Sequence, residues 1–270
     1  MNAIIMLVVV LLPILAGLPV PILPFRNRKQ LMWYVEGVTV ITSVLVLVML
    51  MNRPDSSLVL FRFSENMLLQ FHLDGLGMVF AGMVAILWPL AILYSFEYMK
   101  HEGHEKSFFM FYTITYGITL GVALSGDIVT MYVFFEMLSL VTVPLVMHTL
   151  TREAIHASRT YFFYMIGGAA CAFMGMIFVL NYGSSAFVMG GGLNLAKIGT
   201  KENILLLGYL MCFCGFGVKT AMWPCSGWLP KAGVAPTPVT ALLHAVAVVK
   251  TGAFATMRVT YYSFGTDFLR

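Results

Sequence analysis

Apolar runs of about twenty residues follow one another along the chain, each closed by a charged or Gly/Pro-rich break. A helical run of that length spans the ~30 Å hydrocarbon core of a bilayer at ~1.5 Å per residue. The runs predict helix 1 over roughly Ala3 to Leu23, helix 2 over Met32 to Met51 and helix 3 over Gly75 to Tyr94. Helix 4 follows over Phe108 to Leu124, helix 5 over Ile128 to His148 and helix 6 over Arg159 to Tyr182. Helix 7 begins near Glu202 and helix 8 near Thr237. Between helices 2 and 3 the pattern changes. Over Asp55 to Asp74, Leu69, Phe71 and Leu73 alternate with Gln70, His72 and Asp74. A period of two predicts a short hairpin outside the bilayer. Gly183 to Lys201 reads as a Gly/Ser-rich loop, and its Gly190-Gly191-Gly192 lacks the Lys-Ser/Thr of a phosphate loop.

Composition makes this an all-α polytopic membrane protein. Of 270 residues, 60% are hydrophobic and 10% charged, against about 25% charged in soluble domains. The formal net charge of +4 is spread over several loops. It leaves no patch for nucleic acid, so the lipid bilayer is the expected surrounding. Arg26, Arg28 and Lys29 make the first loop basic, which predicts a cytoplasmic first loop and an N-terminus outside. All four cysteines fall in apolar segments, and Cys212-x-Cys214 lacks the spacing of a redox or zinc pair. His101 and His104, in the charged segment Glu97 to Lys106, read as a solvated turn rather than a metal site. Ser226, His244 and Glu136 are the residue types of a hydrolase triad, but no G-x-S-x-G surrounds the serine. No bond-making chemistry of the chain's own is expected.

Charges inside the apolar runs carry the functional signal. Glu136 lies about 13 Å into helix 5, counted from Asp127, and Lys250 about 18 Å into helix 8, counted from Pro238. Both depths are near the midplane. Lys219 is central if helix 7 is discontinuous at Pro224, whose ring collides with the carbonyl of Thr220. A charge at the bilayer centre costs at least ~2.5–3.5 kcal/mol. Static pairing of Glu136 with one lysine is one explanation; an ion or proton path is the other. Protons suit these groups, because desolvation disfavours a charged amine and a nearby carboxylate favours it. His244 adds a further station, or a plain polar residue in a helix interface. Asp127 reads as a helix-end residue facing water, and His148 and His156 as interfacial bystanders. Arg258 reads as a side chain reaching the interface.

Four stretches then resemble one family: FHLDGLG (Phe71 to Gly77), MYVFFEMLSL (Met131 to Leu140), GFGVKTAMWPCSGWLPKA (Gly215 to Ala232) and APTPVTALLHAVAVVKTGAF (Ala235 to Phe254). They are similar to the antiporter-like subunits of respiratory complex I, multisubunit sodium/proton antiporters and membrane-bound hydrogenases. The resemblance implies that Glu136 and Lys219 are the paired glutamate and lysine of helices 5 and 7. It also implies that Lys250 and His244 link half-channels. It implies about eight transmembrane helices here, with helices 4 to 8 one inverted-repeat unit. Residues 1–107 would hold helices 1 to 3 and the hairpin, and residues 108–270 that first repeat. Family members carry about fourteen helices, whereas this chain stops at Arg270. The expectation is a truncated product, a natural half-size subunit, or a partner chain supplying the second repeat. Lys231 to Val234 is also shorter than the family's turn and lacks its histidine.

The implied function is a proton-translocation half-channel in a redox-driven complex of a prokaryotic cell membrane. No cofactor is expected in this chain, and iron–sulfur or other redox centres are expected in partner subunits. Two alternatives stand beside it: a subunit of a cation/proton antiporter, and a structural scaffold with a vestigial channel.

Overall fold

The computed structural model describes residues 2–53, 57–64, 67–194, 197 and 202–266. Asp55, Lys201 and Arg270, named above, lie outside the described residues.

At the centre stands α4 (Glu105–Ala123), buried at every position from Tyr112 to Ala123. Its hydroxyls do not disturb this, because Thr113, Thr115 and Thr119 each donate to the carbonyl four residues earlier. Around it lie α1 (Asn2–Gly17), α2 (Arg28–Asn52), α3 (Gly75–Tyr98) and α5 (Ile128–Val146). Small residues set the spacing. A Cβ on Gly117 would lie 2.4 Å from the Val10 carbonyl oxygen, so α1 seats directly on α4. Trp88 of α3 stacks on Tyr116 at 4.8 Å, and Tyr116 shares a 2.8 Å hydrogen bond with Ser43 of α2.

The outer half comprises α6 (Arg152–Tyr182), α7 (Glu202–Gly217), α8 (Trp228–Ala232), α9 (Thr237–Ala241) and α10 (Val248–Arg258). A π-helical turn, Leu242–Val246, joins α9 to α10, and another, Val259–Phe264, extends α10. Gly168, Ala172 and Gly175 of α6 face Gly215 and Cys212 of α7, with backbone contacts as near as 2.3 Å to a built Cβ.

Among the described residues, five helical segments are long and apolar enough to cross a membrane: Arg28–Asn52, Gly75–His101, Ile128–Val146, Arg152–Tyr182 and Thr237–Phe264. Several bounds differ from the pattern along the chain. Helix 6 starts at Arg152, because Thr151 caps it by accepting from the Ala154 amide. Helix 3 runs through Glu97 to Tyr98, so the charged turn is shorter than the sequence suggests. The hairpin is present as β1 (Leu58–Ser64) and β2 (Met67–Phe71), paired antiparallel from Leu58↔Phe71 to Ser64↔Met67. Its alternation does not bury one whole face. Only the Phe71 end is inserted, held by the His72 amide on the Leu124 carbonyl (2.8 Å).

Candidate functional site

The chain stops being regular helix at Gly217, ahead of Pro224. Tight turns follow, with the Thr220 amide on the Gly217 carbonyl and the Ala221 amide on that of Val218, both 3.0 Å. Ala221 then takes a left-handed conformation (φ 55°) that redirects the chain. Regular helix therefore ends seven residues ahead of the proline, and Pro224 itself is exposed. Trp228 holds the far side of the gap. Its indole Nε1 donates to the Val218 carbonyl (2.8 Å), and its ring packs against Tyr161 of α6 at 5.3 Å.

Lys219 sits in this gap, 1% exposed. Its Nζ donates to the carbonyl of Phe135 on α5 and lies 3.4 Å from the centre of that residue's ring. Phe216 meets the same ring edge-on at 5.0 Å. Glu136, one residue on, interacts electrostatically with Lys219. The two make no direct ion pair; among the described residues those are Arg28–Glu105, Lys100–Glu97 and Arg258–Asp74. Glu136 Oε1 is buried and makes no hydrogen bond to protein. Tyr132 and Tyr161 are within its electrostatic reach.

The fourth wall is α10. A Cβ on Gly252 would lie 2.9 Å from Lys219 Cβ and 2.6 Å from the Thr220 amide nitrogen. Only glycine lets α10 approach so closely. The same packing decides Lys250. Residues two apart on a helix point about 200° apart, so turning Gly252 toward Lys219 turns Lys250 outward. Lys250 is exposed and, among the described residues, has no hydrogen bond or ion pair. His244 lies in the first π-helical turn, half-buried, with Nε2 buried and unbonded to protein.

Sequence reasoning missed a second charged centre. Arg258 is 1% exposed rather than interfacial. It grips both oxygens of Asp74, Nη2 to Oδ1 at 2.6 Å, and is ringed by Phe187, Phe254 and Tyr262 at 4.9–5.1 Å. Asp74 also caps α3 by accepting from the Gly77 amide (2.9 Å). The LDG of Leu73–Gly75 signals a cap, but nothing in it signals a partner 184 residues away.

Asp127 caps α5 as expected, but is fully buried rather than facing water. It accepts from the Thr130 amide (2.8 Å), the Thr130 hydroxyl (2.7 Å) and the Gln70 amide (3.3 Å). Burial raises its pKa to about 6, against these hydrogen bonds, which lower it. His148 is buried rather than at the surface, and it hydrogen-bonds the Gly103 carbonyl through Nε2 (2.9 Å). Burial holds its imidazole below the usual histidine range. His101, His104 and His156 are exposed.

Residues 125–267 match the family model described as NADH:quinone oxidoreductase/Mrp antiporter, membrane segment, and residues 64–109 that of the complex I chain 5 N-terminus. Among curated proteins, Na(+)/H(+) antiporter subunit A1 of Staphylococcus aureus is 27% identical over 260 residues. The match takes in 94% of this chain and 32% of that protein, so the chain spans about a third of such relatives. Among solved structures, the membrane-bound sulfane sulfur reductase, an archaeal respiratory membrane complex, has a chain similar at TM-score 0.78 and 19% identity. The overlap covers 94% of this chain and 52% of that one. The Mrp complex from Dietzia sp. DQ12-45-1b has another, at TM-score 0.80 and 19% identity, over 93% and 27%.

Proposed function

The chain belongs to the NADH:quinone oxidoreductase/Mrp antiporter membrane family, and we propose that it contributes a proton-translocation half-channel, centred on Glu136 and Lys219, to a redox-driven ion-pumping complex. It is a multi-pass membrane subunit. About eight spans with an interrupted seventh, helices 4 to 8 forming one inverted repeat, is the architecture proposed for it in a prokaryotic cell membrane.

One observation carries the proposal. A buried amine sits at a helix interruption, bonded to the Phe135 carbonyl, beside a carboxylate it does not yet touch. Phe135 and Glu136 are consecutive on α5, so the carbonyl that now holds Nζ and the carboxylate are the two acceptors this segment of α5 offers the lysine. Which protonation state the amine prefers depends on how near the carboxylate is. Motion across this gap is thereby a way to take up and release one proton. The unbonded Nε2 of His244 offers the next acceptor, and buried groups of that kind in native proteins hold ordered water. Lys250, on the outer face, would carry the proton onward from these helices. Redox centres such as iron–sulfur clusters would sit in partner subunits, and no cofactor is assigned to this one.

The archaeal respiratory complex among the similar structures supports a redox drive. The likeness to an Na(+)/H(+) antiporter subunit supports the second reading, exchange of a cation for protons. A vestigial scaffold is the third. The purified assembly in proteoliposomes separates them. Acidification driven by an electron donor supports the first, and acidification driven only by a sodium gradient the second. Unchanged pumping by Lys219→Ala would leave only the scaffold.

A further inference from the structure

We infer that the groove between α2 and α3 seats a transmembrane helix of a neighbouring subunit that places a lysine or arginine against Glu36. The groove has a volume of about 410 Å³ and is lined by Lys29, Met32, Trp33, Glu36, Leu93 and Phe96. Lys29, Met32, Trp33 and Glu36 fall at i, i+3, i+4 and i+7, one stripe of a helix. Leu93 and Phe96 form the facing wall from α3.

Among the described residues, Glu36 has no cation partner. Its Oε2 is buried and unbonded. Arg28, the nearest basic side chain turned inward, is committed to Glu105 (Nε to Oε1 2.8 Å) and to the Phe96 carbonyl. Lys29 is exposed at the mouth of the groove, about 10 Å nearer the helix start at ~1.5 Å per residue. A carboxylate inside a lipid-facing stretch is costly unless it is paired. The groove is open to receive the pair: Trp33 is 77% exposed and Leu93 52%.

Depth selects the occupant. A phospholipid carries its phosphate and amine at the interface, level with Lys29, and has no cation to place two turns deeper. A helix can, since it enters hydrocarbon with its backbone bonded internally. Charge complementarity also sets the register. The partner helix carries its base opposite Glu36 and an acidic residue about seven positions away, opposite Lys29.

The inference rests on the reading that this chain works within an assembly. The test uses that assembly, purified from native membranes, with Trp33 replaced by the photo-crosslinker p-benzoyl-phenylalanine. A second preparation carries the crosslinker at Leu93, in case the first does not assemble. The expected product is a crosslinked peptide from another subunit's transmembrane helix bearing Lys or Arg. Its yield from Leu93 falls at least about tenfold in Glu36→Gln, as truncation of a desolvated charge pair requires. Crosslinking to lipid alone, to a helix with no basic residue, or at undiminished yield in Glu36→Gln overturns it. A purified chain of monomer mass by native mass spectrometry overturns the assembly reading itself, which distinguishes the two failures.

Discussion

Lys219 Nζ donates to the carbonyl of Phe135 and lies 3.4 Å from the centre of the Phe135 ring, so one residue of α5 supplies both contacts of the buried amine. Glu136 follows that residue directly, and its carboxylate interacts electrostatically with the amine without an ion pair to it.

Lys219→Ala is expected to lower proton translocation by the assembled complex about 10²-fold, the scale of a lost proton-transfer group. Lys219→Arg should recover little, because a guanidinium does not give up its proton. Pyranine-loaded proteoliposomes measure both. Phe135→Leu keeps the carbonyl and removes only the ring, a loss of about 0.5–2 kcal/mol in cation–π attraction. It should slow transport far less than Lys219→Ala.

Gly252→Ala introduces a Cβ 2.6 Å from the Thr220 amide and 2.9 Å from Lys219 Cβ. Overpacking of this kind costs about 1–3 kcal/mol. The strain falls on the segment that aims Lys219, so translocation should drop more than the melting temperature in detergent does. Equal activity with a lowered melting point would show that α10 merely packs there.

Trp228→Phe preserves the tilted ring contact with Tyr161 but removes the donor to the Val218 carbonyl. An unsatisfied buried acceptor costs about 1–3 kcal/mol. Loss of thermal stability should be larger than for Trp223→Phe, since Trp223 is 85% exposed.

Breaking the Asp74–Arg258 pair leaves a buried guanidinium without its counter-charge. Arg258→Met and Asp74→Asn are each expected to destabilise by several kcal/mol, Asp74→Asn the more because the charge that remains is deeper. Thermal unfolding of the double variant should be milder than that of Asp74→Asn alone.

Asp127 is expected to titrate near 6, with its carboxyl stretch in infrared difference spectra fading as pH rises through that value and absent in Asp127→Asn. Its folded pKa lies above the ordinary 3.8. Its contribution to stability is therefore full below about 4 and falls as pH rises through about 6. Thermal stability should accordingly fall as pH rises through about 6, a dependence absent in Asp127→Asn.

The apolar runs made the membrane class and most helices legible, since hydrocarbon thickness dictates run length directly. Glu136 and Lys219 were legible for the same reason: a charge inside such a run stands out against its neighbours. The hairpin was legible from its alternation. Less could be read where a position's meaning depends on a distant contact. Arg258 ends an apolar run much as an interfacial arginine would, and Asp127 precedes one much as a solvated cap would. Their burial comes from elements far away in the chain, Asp74 in one case and Gln70 in the other.

Local chemistry by itself thus determined that the chain lives in a bilayer, where its helices run, and which charges are anomalous there. Each of these follows from hydrophobicity summed over consecutive residues. The tertiary structure decided which way those charges face. Helix rotation is set by the closest backbone approach, and on α10 that approach is made by Gly252. Placing Gly252 against Lys219 turns Lys250 to the surface, though both lysines look equally central when read along the chain.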